Sequence, residues 1–172
     1  IVEDMEEVAI GNLRFLAIST PGHAQHHHAY LFEDLCFSGD IGGIRFPGFS
    51  YLRLPMPPPE LYLERWKESV ARLRKESFNR ISPTHFGIYS DADWHLRELE
   101  KELVATERWL QNVMSADPEA EEFRRSFAEW MQAEGQVRHI PQDILAAYDL
   151  TNPPAMSADG LRRYWTKVRQ AH

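Results

Sequence analysis

Half of the eight histidines fall between His23 and His28, and the first of them follows Thr20-Pro21-Gly22 at the end of a predicted strand. Neutral imidazole is the commonest nitrogen donor to metals. A strand end holds such a group rigidly while the turn beyond it stays exposed, and Gly22 would let the backbone approach a ligand where a Cβ would obstruct it. Two further segments repeat the placement. Asp40 lies in Phe37-Ser38-Gly39-Asp40-Ile41-Gly42-Gly43, where a strand opens into a glycine turn carrying a carboxylate able to bridge two cations, and His85 lies in Ser82-Pro83-Thr84-His85-Phe86-Gly87. A lone histidine at a strand end is ordinarily just a polar residue. Three metal-capable groups at three equivalent strand ends point to a metal centre.

The elements that must carry these groups can be read from periodicity. Leu13 to Ser19 is an apolar run stopped by Pro21-Gly22, and Ala29 to Phe32 with Leu35 to Ser38 reads as a hairpin turning at Glu33-Asp34. The next twenty or so residues hold Gly39, Gly42, Gly43, Pro47, Gly48, Pro55 and Pro57-Pro58-Pro59. They read as an irregular loop kept for function or docking. Glu60 to Lys75 sets Leu63, Trp66, Val70 and Leu73 on one helical face, and a short strand follows at Arg80 to Ser82. Strand, helix and strand in alternation favour a layered α/β architecture. Beyond Tyr89 the chain reads as helices: one capped by Ser90 or Asp91 with a stripe of Leu96, Leu99, Leu103, Leu110 and Val113; one with Pro118 at its first position and Phe123, Phe127, Trp130 and Met131 inward; a short one from Pro141; and a last one through Leu161, Tyr164, Trp165 and Val168, closed by Lys167 and Arg169.

Composition bounds the partners. The chain has 172 residues, 43% of them hydrophobic, and a mass of 20.0 kDa, the size of one domain with an appendage. With 26 acidic against 19 basic residues the net charge is −7, which disfavours nucleic acid and anionic membranes. Cys36 stands alone and reads as buried packing within a strand. No apolar window is long enough to span a bilayer. These features are those of a soluble, cytoplasmic protein. The chain opens at Ile1 with an acidic stretch where a secretory signal would be basic and then apolar, and we expect that something upstream has been removed.

Taken jointly, the Thr20-Pro21-Gly22-His23 segment, the Gly39-Asp40 turn and the Thr84-His85-Phe86-Gly87 segment resemble, in order and separation, the second half of the metallo-β-lactamase superfamily. The proline-rich loop and amphipathic helix between the second and third motifs are similar to those of its hydrolases. The resemblance covers about residues 8 to 100 and extends more loosely to the helical tail, which looks like the superfamily's C-terminal extensions. It implies an α/β fold in which residues 1–90 form the C-terminal half of an αββα sandwich and residues 91–172 a helical extension. Position by position, His23 resembles the third histidine of one metal site, Asp40 the catalytic carboxylate bridging both metals, and His85 the last histidine of the second site. The implied cofactors are two divalent ions, zinc by default with iron or manganese as alternatives, because nitrogen and oxygen donors do not select among them. Hydroxide formed near neutrality would attack an ester, thioester, lactone or phosphodiester of a small-molecule substrate. The motif assigns no role to His26, His27 and His28, which we read as structural or as orienting the ligands. Arg45, Phe49 and Tyr51, with Phe46 and Arg53, are the residues read as a substrate wall.

One family feature is absent. The His-x-His-x-Asp-His motif that supplies the other ligands occurs nowhere, since His26-x-His28 runs on into Ala29-Tyr30, and Asp91-x-Asp93-x-His95 reads as capping at a helix start. The expected partner is therefore a missing N-terminal half, with homo-oligomerisation also open. Two alternatives stand beside this: a remnant that no longer catalyses anything, and a non-catalytic interaction module whose tail helices dock a partner or pair two protomers.

Overall fold

The computed structural model describes residues 2–169, with only the backbone of Val168 and Arg169, so Ile1 and the side chains of Val168 and Arg169, both expected in the last helix, lie outside the described residues, while Lys167 is exposed. A single five-stranded sheet runs in chain order: β1 (Glu7–Ile10), β2 (Leu13–Ser19), β3 (His28–Phe32), β4 (Leu35–Gly39) and β5 (Arg80–Pro83). Neighbouring strands are antiparallel up to β4, and β4 and β5 are parallel. β1 extends the sheet beyond the sequence expectation. It folds back on β2 through the two-residue turn Gly11-Asn12, which Gly11 permits by taking φ 61°.

The parallel step needs a crossover, and α1 (Leu63–Leu73) provides it. Its Leu63, Trp66, Val70 and Leu73 are wholly buried, all on one face, against Ile18, Ala29, Cys36 and Ile81 of the sheet. Each such side chain contributes roughly 1.5–3 kcal/mol of transfer free energy. The tail continues this core. α2 (Ala92–Met114) buries Leu96, Leu99, Leu103 and Leu110 beside α1, and α3 (Ala120–Val137) packs Phe123 and Phe127 toward α5 (Pro154–Tyr164), with α4 (Gln142–Thr151) between them in sequence. Among the described residues no helix is long and apolar enough to cross a membrane.

Two local expectations need correction. α3 starts at Ala120 with Glu119 in the capping position, so Pro118 precedes the helix; Asp117 at φ 46° turns the chain sharply, and Pro118 is buried there. The segment after β4 is also more ordered than its glycines and prolines suggest. Asp40–Gly42 makes a tight helical turn, Ile44 and Arg53 pair across an isolated antiparallel bridge, and Tyr51 to Met56 are buried. Backbone groups buried in that way need partners, and the tail helices supply several of them.

Candidate functional site

Strand direction decides where the three expected groups emerge. β2, β4 and β5 all run the same way, β3 opposite to them, so the C-terminal ends of β2, β4 and β5 lie on one edge of the sheet. His23 follows β2, Asp40 follows β4, and His85 sits in the loop that leaves β5 and returns at Tyr89, which pairs with Ile81. The carboxylate of Asp40 is shared between the two imidazoles: its Oδ2 is 3.6 Å from His23 Nε2 and its Oδ1 is 3.7 Å from His85 Nε2. Each imidazole thus faces a different oxygen. Among the described residues no three His, Cys, Asp or Glu side chains close around a single cation position.

His23 is oriented from behind. Its Nδ1 lies 2.8 Å from the Pro55 carbonyl, which can only accept, so Nδ1 carries a proton and Nε2 is turned toward Asp40. Trp66 lies edge-on to the ring at 5.9 Å and donates its indole N–H to the Ile41 carbonyl at 2.8 Å, gripping the Asp40 turn from α1. Gly22 serves this approach. A Cβ there would lie 2.4 Å from the Trp66 Cα, so the missing side chain admits the helix backbone and not a ligand, contrary to the reading from sequence. Of the three unassigned histidines, His27 alone stands beside the site, with its Nδ1 2.8 Å from Thr20 Oγ1 and its ring 6.3 Å from that of His23. Burial, with His23 alongside, pushes its pKa down to about 4, so it is neutral at pH 7. His26 faces Glu60 at the surface, and His28 reaches the His26 carbonyl.

No family model matches the chain. Over 100 residues it is 33% identical to the metallo-beta-lactamase fold-containing protein ST1585 of Sulfurisphaera tokodaii, covering 57% of this chain and 37% of that one. The crystal structure of ST1585, described as the first of an archaeal metallo-beta-lactamase superfamily protein, from Sulfolobus tokodaii, superposes with a TM-score of 0.56 at 26% identity, over 94% of this chain and 50% of the other. The chain has a metallo-β-lactamase fold, in part. A metallo-beta-lactamase family protein from Thermus thermophilus agrees in fold alone, with a TM-score of 0.59 at 16% identity over 96% and 48% of the two chains. This chain therefore spans about half the length of the solved relatives and less of the curated one. Proteins of this fold are typically hydrolases.

Within that fold the loop residues expected to wall a substrate sit as follows. Arg45 is buried, its guanidinium 4.4 Å from the ring centroids of both Tyr89 and Trp94, and it donates to both carboxylate oxygens of Asp91 at 2.7 and 2.9 Å. That pairing holds the Asp91 pKa below the usual carboxylate value. Asp91 occupies the capping position of α2, yet its side chain makes no capping bond; the carboxylate faces Arg45 instead. Tyr51 is wholly buried, its carbonyl accepting from the Tyr148 hydroxyl at 2.9 Å. Phe49 is half-buried, and its carbonyl accepts from Arg45 Nε at 3.1 Å. Phe86 lies 5.8 Å from His85 ring to ring and is stacked on Phe46 at 4.0 Å. Sequence reasoning gave Phe86 no role and placed His95 only at a helix start. His95 is wholly buried and donates from Nε2 to the Gly42 carbonyl at 2.7 Å; burial lowers its pKa to about 4. Its position one turn into an amphipathic helix, on the same stripe as Leu99, was the available signal.

Proposed function

We propose that the chain supplies one side of a dinuclear, metal-dependent hydrolase site of the metallo-β-lactamase type. The division of Asp40, one oxygen toward His23 and the other toward His85, carries this reading. The donor chemistry fits a pair of divalent ions: an imidazole nitrogen and a carboxylate oxygen for each, with zinc the default and iron or manganese the alternatives. Ions held there would supply Lewis acidity and a water that ionises near neutrality. His23 meets them with an unprotonated Nε2 because Pro55 holds the proton on Nδ1, and Asp40 keeps the two positions adjacent. Phe86 and Phe46, continued by Phe49, form an apolar shelf beside His85 for the acyl or alkyl part of a small ester, thioester, lactone or phosphodiester. Arg45 holds the Phe49 carbonyl, and Tyr51 meets Tyr148, which in turn lies edge-on to Phe46.

Two donors per ion are too few, since a catalytic zinc normally takes three protein ligands and keeps one position open. The remainder comes, in this reading, from the N-terminal half of the fold. The sheet offers a face for it: Val8, Ile10, Phe15, Tyr30 and Phe37 line an apolar cleft of about 430 Å³ on the side away from α1. The apolar stripes of the tail helices are turned onto α1 and one another, which supports reading the tail as part of the fold and not as a docking module. The cytoplasm is the companion location, on the lone buried cysteine.

The test is hydrolysis of a panel of the four substrate classes by the complete protein. We expect one class to be turned over, activity to vanish with chelator and return with zinc, and Asp40→Ala or His23→Ala to lower it by ~100-fold or more. A folded protein whose hydrolysis survives Asp40→Ala would refute the reading; one that binds no cation and hydrolyses nothing would favour the non-catalytic alternative.

A further inference from the structure

The turn that carries Asp40 is short and makes one bond of its own, from the Gly43 N–H to the Asp40 carbonyl at 3.0 Å. Its other two carbonyls are held from outside. Trp66 of α1 takes Ile41, and His95 of α2 takes Gly42. The position of His95 is fixed in turn, because Asp91, one helical turn earlier, is bound to Arg45 by both oxygens, and the Tyr89 hydroxyl donates to the Arg45 carbonyl. Among the described residues His95 Nδ1 is buried without a partner, so the ring's polar contact there is the one to Gly42.

The segment behind His23 is held in the same way. Pro55 accepts from His23 Nδ1, and both of its neighbours are fixed by the far end of the tail. The Leu54 carbonyl accepts from Asn152 Nδ2 at 3.2 Å, and the Met56 N–H donates to Ser157 Oγ at 3.3 Å. The Ser157 hydroxyl then donates to Asn152 Oδ1 at 3.1 Å, closing the bracket. Both side chains are buried, at 5% and 0% exposure, at the end of α4 and in α5. Buried polar groups are costly unless paired, and these pair with the segment whose Pro55 carbonyl holds His23.

The geometry points to a function for the helical tail: His95, Asn152 and Ser157 are positioning residues that set the two donor groups, His95 through the Asp40 turn and the Asn152–Ser157 bracket through Pro55 and His23. This rests on the hydrolase reading for the meaning of those donors, though not for the hydrogen bonds themselves. Groups that orient a ligand commonly change metal affinity 10- to 100-fold when removed. The tail acts here one step further back, through backbone carbonyls, so the lower end of that range is expected.

The experiment uses the complete protein with cobalt(II) alone as the probe, titrated by its visible absorption. A second, metal-free readout is the tautomer of His23, seen in long-range nitrogen–proton spectra of the imidazoles. His95→Phe keeps a ring but removes the donor, and should weaken cobalt binding about 10-fold. His95→Gln, whose amide N–H can reach the same carbonyl, should restore it to within about threefold. Ser157→Ala should weaken cobalt less and shift His23 from the Nδ1–H toward the Nε2–H tautomer. Thermal melting checks that each variant is folded, and if His95→Phe is not, Ser157→Ala and Asn152→Ala decide. Folded variants with native cobalt affinity and an unchanged His23 tautomer would overturn the proposal. If the native protein binds no cobalt, or Asp40→Ala leaves binding intact, the hydrolase reading falls instead, and the tautomer measurement alone still decides whether the tail sets His23.

Discussion

The two faces of the sheet are built from the same strands with the same alternation, yet they have different fates. On one face Ile18, Ala29, Cys36 and Ile81 are fully buried beneath α1. On the other, Phe15, Tyr30 and Phe37 stand beside Val8 and Ile10, with Phe37 37% and Ile10 62% exposed. Residue type does not separate the faces, since the open one is if anything more aromatic. What separates them is whether a layer lies on top. Contiguous exposed apolar surface of this kind marks an interaction site in soluble proteins. The candidate site lies at the edge of the sheet where β2, β4 and β5 end, with Asp40 and His85 about one third exposed.

Three measurements would break or sharpen that contrast. The largest effect belongs to the covered face. Trp66→Ala removes a wholly buried indole and its bond to Ile41, and should cost about 3–5 kcal/mol in chemical denaturation; a loss under about 1 kcal/mol would show that α1 does not seal this face. A smaller effect is expected in the layer behind it, where Glu102 is buried against Arg138. Burial pushes the Glu102 pKa from 4.5 up to about 7, so the folded chain holds this proton more tightly than the unfolded one. The contribution to stability is therefore fully present below pH 4.5 and is lost as pH rises through about 7. Glu102→Gln removes that dependence, and urea midpoints should show the variant gaining on the native protein between pH 5 and pH 8; parallel midpoints would contradict the assignment. The smallest effect is on the open face, where Phe37→Ser should change the stability of this chain by no more than about 0.5–1 kcal/mol. A large loss there would mean that the face is already closed.

Much of this contrast was legible in the sequence, and the misses share a cause. Short apolar runs bounded by turn residues gave β2, β3 and β4, and the Leu63, Trp66, Val70, Leu73 stripe gave α1, because both signals are local in the chain. His23, Asp40 and His85 were legible as strand-end groups, and the sheet order brings them to one edge. β1 was passed over because it is short and follows directly on the acidic opening, although Gly11-Asn12 between two apolar residues was a usable hairpin signal. The partners of Arg45, Pro55 and Gly42 were not legible at all. Asp91, His23 and His95 lie 46, 32 and 53 residues away from them, and no periodicity encodes a contact at that separation. The same holds for the loop from Tyr51 to Met56, whose prolines suggested irregular chain but whose backbone is completed by residues about a hundred positions later.

Cys36 lies at the centre of the covered face, and its surroundings push the thiol pKa up to about 12. Only the thiolate is reactive, so a disulfide reagent at neutral pH meets an inert sulfur until α1 lifts from the sheet. The protein therefore carries its own stopwatch: the rate at which this sulfur is labelled counts the moments when the closed side of the molecule comes apart, with no reporter group added.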